Sequence, residues 1–437
     1  MRYINVGVAR VCITPPVGTA LSGYYTPRYA SGVHDDLFAT AISFDDGEKR
    51  AILITLDLCG LKNQWWQDEC KNKISEFCKI PLEAIIINCT HTHTGPIVGD
   101  DNTSGAESNK LYDDYLMVKI RDAAYLALKN LCPAKIYTGS GEVKDIAFVR
   151  LFKMADGTVK TNPGIGNPDI VSPISKAPED VTLIKIEREK EKDIFIVNFG
   201  VHADVIGGTD ISADFPGTLR EIVEGSVPNS VCLFLQGAEG DLNHVNVKWE
   251  RKPDKAEHSY FMGKSLANAV LKIKDEMTEV GTDKIKFGNR TITIPTNKED
   301  HKLSEAKRFL QLEESGDPEA IKISGVKNIA SLPEAKRIIE AADLPDEIKF
   351  NLSAISIGDV VFVGLPGEPF SGIGANIKKN STFDATVICA LTDGGEVYFP
   401  TGDIYDEDAY EAKSSLVKKG ADNIIIEETL KLINDIK

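Results

Sequence analysis

Short apolar runs rich in β-branched residues alternate along this chain with longer stretches of helical periodicity. The apolar runs span residues 51–56, 84–87, 194–197, 231–235, 360–363 and 386–389. The helical stretches span residues 64–77, 113–131, 259–274 and 423–436. A run of about 4–8 such residues is typical of a buried strand, whereas a helix needs a longer amphipathic segment. The alternation predicts an α/β fold with a mostly parallel or mixed sheet as its core and flanking helices.

The charge balance argues against some classes of partner. The chain has 437 residues, with 50 Lys and Arg against 66 Asp and Glu, and a net charge of −16. Proteins that hold nucleic acid or an anionic membrane without sequence specificity need a basic surface, so we expect neither partner. The apolar runs fall far short of the roughly 18–20 residues of a membrane span, and we expect no stable membrane insertion. Because the first residues lack the apolar segment of a secretory signal, we expect a cytoplasmic protein.

The cysteines and two segments of unusual composition give further expectations. The eight cysteines form no Cys-x-x-Cys pair, which predicts buried, reduced thiols rather than a disulfide framework or a thiolate metal site. Residues 150–180 are rich in Pro and Gly, which predicts an irregular lid or binding loop. Residues 297–347 are rich in Lys, Glu and Ala, which predicts a charged helical hairpin inserted into the fold as a solvated surface appendage.

The most informative segment is the apolar run that leads into His91 and His93 and stops at Gly95-Pro96. Residues two apart on a strand face the same side, which predicts that both imidazoles point into one space. The chain has only seven histidines, so two of them in a His-x-His pattern at a strand end make a metal site as good an interpretation as a structural role.

Three more apolar runs end in the same way, in Gly or Pro turn chemistry followed by polar side chains. They lead to His202, to residues 240–243 and to Glu368. In open α/β sheets, sites form outside the carboxyl ends of the strands, so we expect the metal site where these strand ends converge. Two histidines and a carboxylate form a ligand set of catalytic zinc that leaves positions open for water and substrate.

These segments together resemble the neutral/alkaline non-lysosomal ceramidase family. The resemblance rests on residues 91–96, 201–202, 240–243 and 365–368, and it extends in the family's order to residues 13–16, 32–36, 212–217, 398–401 and 409–412. It implies a zinc-dependent amidase that hydrolyses an N-acyl bond. We expect one catalytic domain over residues 1–437, with the helical insertion at 297–347 and without the C-terminal immunoglobulin-like domain of the long ceramidases.

The resemblance also implies roles for individual residues. The zinc ligands of the family fall on His91, His202, Glu368 and Tyr398. Tyr398 is an unusual ligand because its ordinary pKa is about 10, and it is alternatively a hydrogen-bond donor to the oxyanion. His93 corresponds to a histidine beside the metal that contacts substrate, and Arg150 to a substrate-contacting arginine.

Four other polar residues are either open between two roles or expected to lie at the surface. Asp57 and Asp241 are candidates either to orient the ligand imidazoles or to act as turn and helix caps. We expect His258 and His301, which lie among charged residues, to be exposed.

Two departures from the family bear on the substrate. Asn243 stands where ceramidases have a serine that assists catalysis, and we expect its amide to position substrate. Ala203 replaces the proline that usually follows the second ligand histidine. A protein without a membrane-docking element is poorly placed to extract a two-tailed lipid. We therefore expect a small-molecule N-acyl substrate that is smaller than ceramide, such as an N-acylated sugar or amino acid, and one zinc ion or another divalent metal.

Two other functions stay open at the level of sequence. A metal-dependent esterase, lactonase or phosphoesterase would use the same residues, although no Gly-rich phosphate loop or Lys/Arg cluster supports phosphate chemistry. A non-catalytic ligand-binding member of the family is the second alternative, and the complete set of four ligand residues disfavours it. The sequence gives no indication of the oligomeric state.

Overall fold

The structure, a computed structural model, describes residues 4–61, 64–99, 104, 106–281, 284–315, 331–394, 397–407 and 409–437. The helices in these ranges are α1 (Gln64–Cys78), α2 (Lys110–Lys129), α3 (Phe215–Ser226), α4 (Lys255–Ile273), α5 (Leu303–Ser315), α6 (Leu332–Asp343), α7 (Ser371–Asn380), α8 (Tyr410–Ser414) and α9 (Ala421–Asp435). Short 3-10 turns lie at Leu82–Ala84, Asp300–Lys302 and Gly402–Asp406.

The strands of the described residues form one large sheet and several smaller ones. They are β1 (Ile4–Cys12), β2 (Gly32–Val33), β3 (Phe38–Asp45), β4 (Arg50–Leu56), β5 (Ile85–Cys89), β6 (Cys132–Glu142), β7 (Phe148–Val149), β8 (Leu151–Met154), β9 (Val159–Thr161), β10 (Ile170–Pro173), β11 (Asp180–Arg188), β12 (Asp193–Phe199), β13 (Asp210–Ile211), β14 (Ser230–Gln236), β15 (Leu242–Asn243), β16 (Thr278–Glu279), β17 (Ile285–Pro295), β18 (Glu347–Ile357), β19 (Val360–Gly364), β20 (Glu368–Pro369), β21 (Ala385–Cys389) and β22 (Tyr398–Phe399).

The large sheet is mixed, as predicted, but mostly antiparallel. Its strand order is β14-β12-β11-β6-β1-β3-β4-β5, and β16 pairs with β6 beside this path. Only β4 with β5 and β12 with β14 are parallel among these described strands. Two strands pair antiparallel where a tight turn, rather than a crossover helix, connects them. The turn between β3 and β4 is of this kind, and its Asp46 carboxylate accepts hydrogen bonds from the N–H groups of Glu48 and Lys49. The predicted α/β fold with flanking helices is confirmed.

A second sheet packs against the first and shares its core. Its order is β17-β18-β19-β21, with β19 and β21 parallel. The ring of Phe44 in β3 lies 6.2 Å from that of Phe362 in β19. Helices α1 and α2 add Ile74 and Ile120 to the same buried cluster. The apolar, β-branched runs lie between layers and are buried on both faces. Their apolar character indicated this burial.

The expectation of an irregular loop over residues 150–180 is wrong for much of that segment. Strands β8, β9 and β10 form a three-stranded sheet in the order β10-β8-β9. Pro173 lies at the end of the edge strand β10, where its missing N–H removes no central ladder bond. The other prolines of the segment fall in the connections, so the proline content did not prevent pairing.

Helices α5 and α6 lie in the segment predicted to form a helical insertion. They pack against each other through Ala306, Phe309, Ala335 and Ile338, and residues 316–330 fall outside the described part of the chain. Helix α6 is not simply a solvated appendage, because Arg337 is buried and donates to the carbonyl oxygens of Asn297 and Lys413. Lys413 belongs to α8, so α6 rests on the element that also carries Glu411.

The thiols agree with the sequence-based expectation except at the surface. All eight cysteines lie in the described residues and form no disulfide. Six are buried, whereas Cys132 is half-buried and Cys12 is exposed. Burial raises the pKa of the Cys70 and Cys232 thiols to about 12, which keeps them protonated and unreactive. Among the described helices, none combines the length and the apolar composition that a membrane crossing requires.

Candidate metal centre

The loops that carry the predicted histidines lie side by side. Strand β5 ends just before His91, and β12 ends just before His202. Thr92 forms an isolated parallel bridge with Ala203, and the His93 N–H donates to the Ala203 carbonyl at 3.0 Å. The two loops are thus joined by their backbones, although β5 and β12 lie toward opposite ends of the strand order of the large sheet.

His91 and His93 share one space, but not for the reason the sequence suggested. His91 has a φ angle of 69°, so the chain has left the extended conformation when it reaches the first histidine. Strand alternation therefore does not apply to this pair. The turn brings the two imidazoles together, with ring centroids 4.8 Å apart and Nε2 atoms 3.3 Å apart.

Backbone carbonyls determine which nitrogen of each imidazole carries the proton. His91 Nδ1 lies 2.7 Å from the carbonyl oxygen of Cys59, and His202 Nδ1 lies 2.8 Å from that of Leu242. A carbonyl oxygen only accepts hydrogen bonds, so each Nδ1 is a donor. In the neutral rings both Nε2 atoms therefore present a lone pair.

These lone pairs converge on a carboxylate. Glu368 Oε2 lies 3.1 Å from His202 Nε2 and 3.6 Å from His91 Nε2. The three residues are only 6%, 1% and 2% exposed, respectively. Three acceptor atoms thus face one another out of reach of bulk water. Arg150 Nη1 lies 3.4 Å from His202 Nε2, but Glu368 Oε2 has no hydrogen-bond partner among the described residues, an arrangement that a bound cation would relieve.

The donor set fits a divalent ion. The ligand atoms of His91, His202 and Glu368 all lie within 4.8 Å of one another. A tetrahedral ion with bonds of about 2.0–2.2 Å places its ligand atoms about 3.3–3.6 Å apart, close to the two separations found here. Two imidazoles and one carboxylate also leave a coordination position open.

A second group of possible ligands overlaps the first. Cys59, His91 and His93 also have ligand atoms within 4.8 Å of one another, and the Cys59 Sγ lies 3.8 Å from His91 Nδ1. That nitrogen donates its proton to the carbonyl of Cys59, so it offers no lone pair to an ion beside the thiol. The set with His202 and Glu368 is therefore the better one. The sequence analysis did not identify Cys59 as a possible ligand. The only sequence signal for that role is its position shortly after the apolar run at residues 51–56.

Arg150 borders the converging histidines and is held in place by several partners. Its Nη1 lies 3.4 Å from His202 Nε2, and its Nη2 donates to the Gly240 carbonyl at 2.7 Å. Its Nε lies 2.7 Å from a carboxylate oxygen of Glu411, which is fully buried. Although burial opposes it, the surroundings, chiefly Tyr398 and Glu411, hold the pKa of Arg150 well above its usual range. Sequence reasoning gave Glu411 no role.

Tyr398 lies next to the carboxylate of the cluster. Strands β20 and β22 pair so that Tyr398 is opposite Glu368, and the Arg150 guanidinium lies 5.2 Å from the tyrosine ring. Burial and the charge of Glu368 hold the pKa of Tyr398 well above its usual range. Tyr410 lies beside Tyr398, with the two ring centroids 5.8 Å apart, and its hydroxyl lies 2.9 Å from that of Tyr25. Whether Tyr398 is a ligand or a hydrogen-bond donor stays a prediction.

Other residues named from the sequence have partners elsewhere. The Asn243 side chain donates to Asn162 at 2.5 Å and accepts from the Val245 N–H, so its amide is engaged beside the histidines rather than with them. Asp57 forms two hydrogen bonds of 2.7 Å with Arg220.

Asp241 accepts hydrogen bonds from the N–H and the hydroxyl of Ser371 at the start of α7. The suggestion that Asp57 and Asp241 orient the imidazoles is wrong, because carbonyl groups do so. The capping interpretation holds for Asp241.

A second histidine cluster lies close to the first. His244 Nδ1 lies 2.9 Å from the Asp204 carboxylate, and His258 Nε2 lies 3.2 Å from the carbonyl oxygen of His244. The expectation that His258 is exposed is wrong, since it is 6% exposed and its ring lies 5.0 Å from that of Trp249. It lies on the packed face of α4, a placement that the charged residues around it obscured. His301 is exposed, as expected.

Solved structures of ceramidases are similar to this chain. No protein-family model matches this chain. The solved structure of neutral ceramidase from Pseudomonas aeruginosa is similar over 100% of this chain and 75% of that chain, with a TM-score of 0.75 and 16% sequence identity. A structure described as ceramidase complexed with C2 is similar over 99% of this chain and 75% of that chain, with a TM-score of 0.74 and 16% identity.

These similarities define the fold of the chain. At 16% identity they establish architecture and not activity. The resemblance inferred from the motifs is confirmed at this level, because this chain has the α/β fold of neutral ceramidase along essentially its whole length.

Proposed function

We propose that this protein is a metal-dependent hydrolase that cleaves the N-acyl bond of an amide, with zinc as its resident ion. The observation that carries the proposal is the convergence of His91 Nε2, His202 Nε2 and Glu368 Oε2 in a buried position. The fold likeness to neutral ceramidase supports amide hydrolysis over the other reactions that such an ion catalyses.

The residues divide the work between metal binding and substrate contact. His91, His202 and Glu368 would hold the ion, with Tyr398 as the fourth candidate. When bound, such an ion polarises a carbonyl group and lowers the pKa of a water molecule.

The Arg150 guanidinium points Nη1 at the metal-binding residues, 3.4 Å from His202 Nε2. There it would hydrogen-bond the carbonyl oxygen of the substrate as negative charge develops on that oxygen. His93, whose Nε2 lies 3.3 Å from that of His91, would accept a proton from the attacking water and pass it to the leaving nitrogen, so that the imidazole ends neutral.

We propose further that the substrate is smaller than ceramide. The groups around the reacting bond are almost fully enclosed, since the metal-binding His91 and His202 are 2% and 1% exposed and Arg150 is 7% exposed. Helix α6 and the hydroxyl pair of Tyr25 and Tyr410 adjoin this region, with the Lys336 ammonium 5.8 Å from the Tyr25 ring. Asn243 follows Leu242, whose carbonyl accepts from His202, and it stands in the place of the serine of ceramidases; we assign the second Nδ2 hydrogen, which Asn162 does not use, to positioning the substrate.

The test measures metal content and turnover together. The protein is purified without added metal, its ions are quantified by mass spectrometry, and chromogenic amides and esters of graded acyl length are assayed with and without a chelator. We expect about one equivalent of zinc and chelator-sensitive hydrolysis of short-chain amides. The His91→Ala variant should lose both the ion and the activity, whereas His301→Ala, which alters an exposed histidine, should keep both.

Three other results would contradict the proposal in different ways. Turnover of esters alone would indicate a metal-dependent esterase or lactonase. Full zinc content without turnover of any compound in the panel would count against the amidase assignment. A metal-free protein with no activity after zinc is added would indicate a ligand-binding protein without catalysis.

A further inference from the structure

Three amide side chains are buried below the histidine loops. Asn88, Asn198 and Gln236 are 0%, 2% and 0% exposed, and they lie at or near the ends of β5, β12 and β14. A buried amide destabilises the fold unless its donors and acceptor are satisfied. The partners of each amide therefore show which parts of the chain it holds together.

Gln236 bonds to both histidine loops at once. Its Nε2 donates to the carbonyl oxygens of Val201 at 2.8 Å and of Thr90 at 3.2 Å. Its Oε1 accepts from the Val201 N–H at 3.3 Å. Val201 directly precedes His202, and Thr90 directly precedes His91. One side chain thus links the backbones from which the two imidazoles project.

The other two amides hold strands rather than histidine loops. The Asn198 Nδ2 donates to the carbonyl oxygens of Leu235 and Ile388 at 3.0 Å and 2.8 Å. The Asn88 Nδ2 donates to Ala390, and its Oδ1 accepts from the backbone N–H of Gln236. These contacts stabilise the junction between β5, β12, β14 and β21, and none of these side-chain bonds reaches a residue that adjoins His91 or His202.

We infer that Gln236 is a positioning residue for the candidate metal centre. Its amide holds the loops of His91 and His202 at the separation at which both Nε2 atoms face Glu368. The inference rests on the proposed function, since it assigns Gln236 a role only toward a bound ion. Replacing a residue whose hydrogen bonds orient the metal ligands commonly changes metal affinity by about 10–100-fold.

The chemistry of the amide explains why a close isostere fails here. Glutamate has the shape of glutamine, but it presents an oxygen where Gln236 Nε2 donates to two carbonyl oxygens. An ionised carboxylate would repel both carbonyls and separate the loops. Methionine keeps much of the volume and lacks both bonds, so it removes the link without adding charge.

The experiment compares Gln236→Glu and Gln236→Met with Asn198→Asp, which makes the same amide-to-carboxylate change at an equally buried position. Each protein is stripped of metal, and its affinity for Zn²⁺ and Co²⁺ is measured by competition with a chelator. The visible spectrum of the Co²⁺ form reports the ligand geometry, and thermal unfolding of the stripped protein reports stability. We expect both Gln236 variants to bind metal about 10–100-fold more weakly and to show a changed cobalt spectrum. Asn198→Asp should be destabilised but should keep the wild-type spectrum.

The outcomes separate this inference from the function on which it rests. Wild-type affinity and spectrum in the Gln236 variants would overturn the positioning role, even if those variants were less stable. Equal loss of affinity in Asn198→Asp would also overturn it, because the effect would then follow from stability alone. A wild-type protein that binds neither ion would refute the proposed metal centre itself. If Gln236→Glu fails to fold, Gln236→Met decides the question.

Discussion

The protein has two clusters of buried histidines, and they differ in what their nitrogen atoms contact. In the first cluster, His91 and His202 donate through Nδ1 to carbonyl groups and direct Nε2 at a carboxylate. In the second, His244 is paired with the Asp204 carboxylate through Nδ1, and His258 bonds to a carbonyl oxygen. In the first cluster Glu368 Oε2 faces two imidazole acceptors and has no hydrogen-bond partner among the described residues, whereas the contacts of the second match donors with acceptors.

This difference teaches that burial does not identify a metal site. His91 and His258 are 2% and 6% exposed, and both lie among other imidazoles. What separates them is the count of donors and acceptors around each ring, because unmatched lone pairs in a buried place need a cation. The comparison gives four expectations, in which replacements in the two clusters have different effects.

The largest difference concerns the metal itself. Replacing His91 by alanine should lower zinc affinity by more than about 100-fold, because the loss of a direct ligand exceeds the usual effect of a residue behind the ligands. Replacing His258 by alanine should leave affinity within a few-fold of wild type. Competition with a chromogenic chelator measures both values, and equal losses would remove the distinction between the clusters.

Stability of the metal-free protein should change in opposite directions in the two clusters. Glu368→Gln places an amide donor beside the lone pairs of His91 and His202, so it should stabilise the stripped protein by about 1 kcal/mol. Asp204→Asn weakens the bond to His244 and should destabilise it by about 1 kcal/mol. Urea unfolding measures both changes. Zinc should raise the melting temperature of the wild type but not that of Glu368→Gln. If the metal-free Glu368→Gln protein is less stable than the metal-free wild type, the repulsion between Glu368 and the two imidazole lone pairs is refuted.

The second cluster should make stability depend on pH. Burial, and next the neighbouring His244, lower the pKa of His258 in the folded protein, whereas the unfolded chain has the ordinary value of about 6.5. Below that pH the unfolded state binds more protons, so the contribution of His258 is complete above pH 6.5 and is lost as the pH falls. His258→Gln should therefore lose less stability between pH 8 and pH 5 than wild type does, as measured by urea midpoints. Parallel curves would show that His258 does not titrate differently on folding.

The smallest effect should come from Cys59. The carbonyl group of this residue orients His91, and its thiol lies 3.8 Å from the same nitrogen. If His91, His202 and Glu368 hold the ion, Cys59→Ser should change zinc affinity by less than about 3-fold, since the carbonyl is unchanged. A loss above about 10-fold would show instead that the overlapping set of Cys59, His91 and His93 binds the metal.

Local pattern predicted most of the fold and part of the site. The apolar run at residues 231–235 became β14, and the periodic stretch at 64–77 became α1, because burial between layers selects those patterns directly. Proline and glycine content misled the assignment of residues 150–180, since the prolines fall in connections and on an edge strand while β8, β9 and β10 pair with one another. His258 was misplaced for a similar reason, because charged neighbours in sequence do not reveal which face of α4 is packed.

Sequence by itself determined the elements and the residue types that carry chemistry. It marked His91, His202 and Glu368 as strand-end residues able to bind a metal, because strands and turns follow from short-range periodicity. Only the tertiary structure decided what those residues present to one another. The proton of His91 is directed by a carbonyl group 32 residues away and that of His202 by one 40 residues away. Such long-range hydrogen bonds form only after the chain has folded, and they leave the two lone pairs facing the carboxylate.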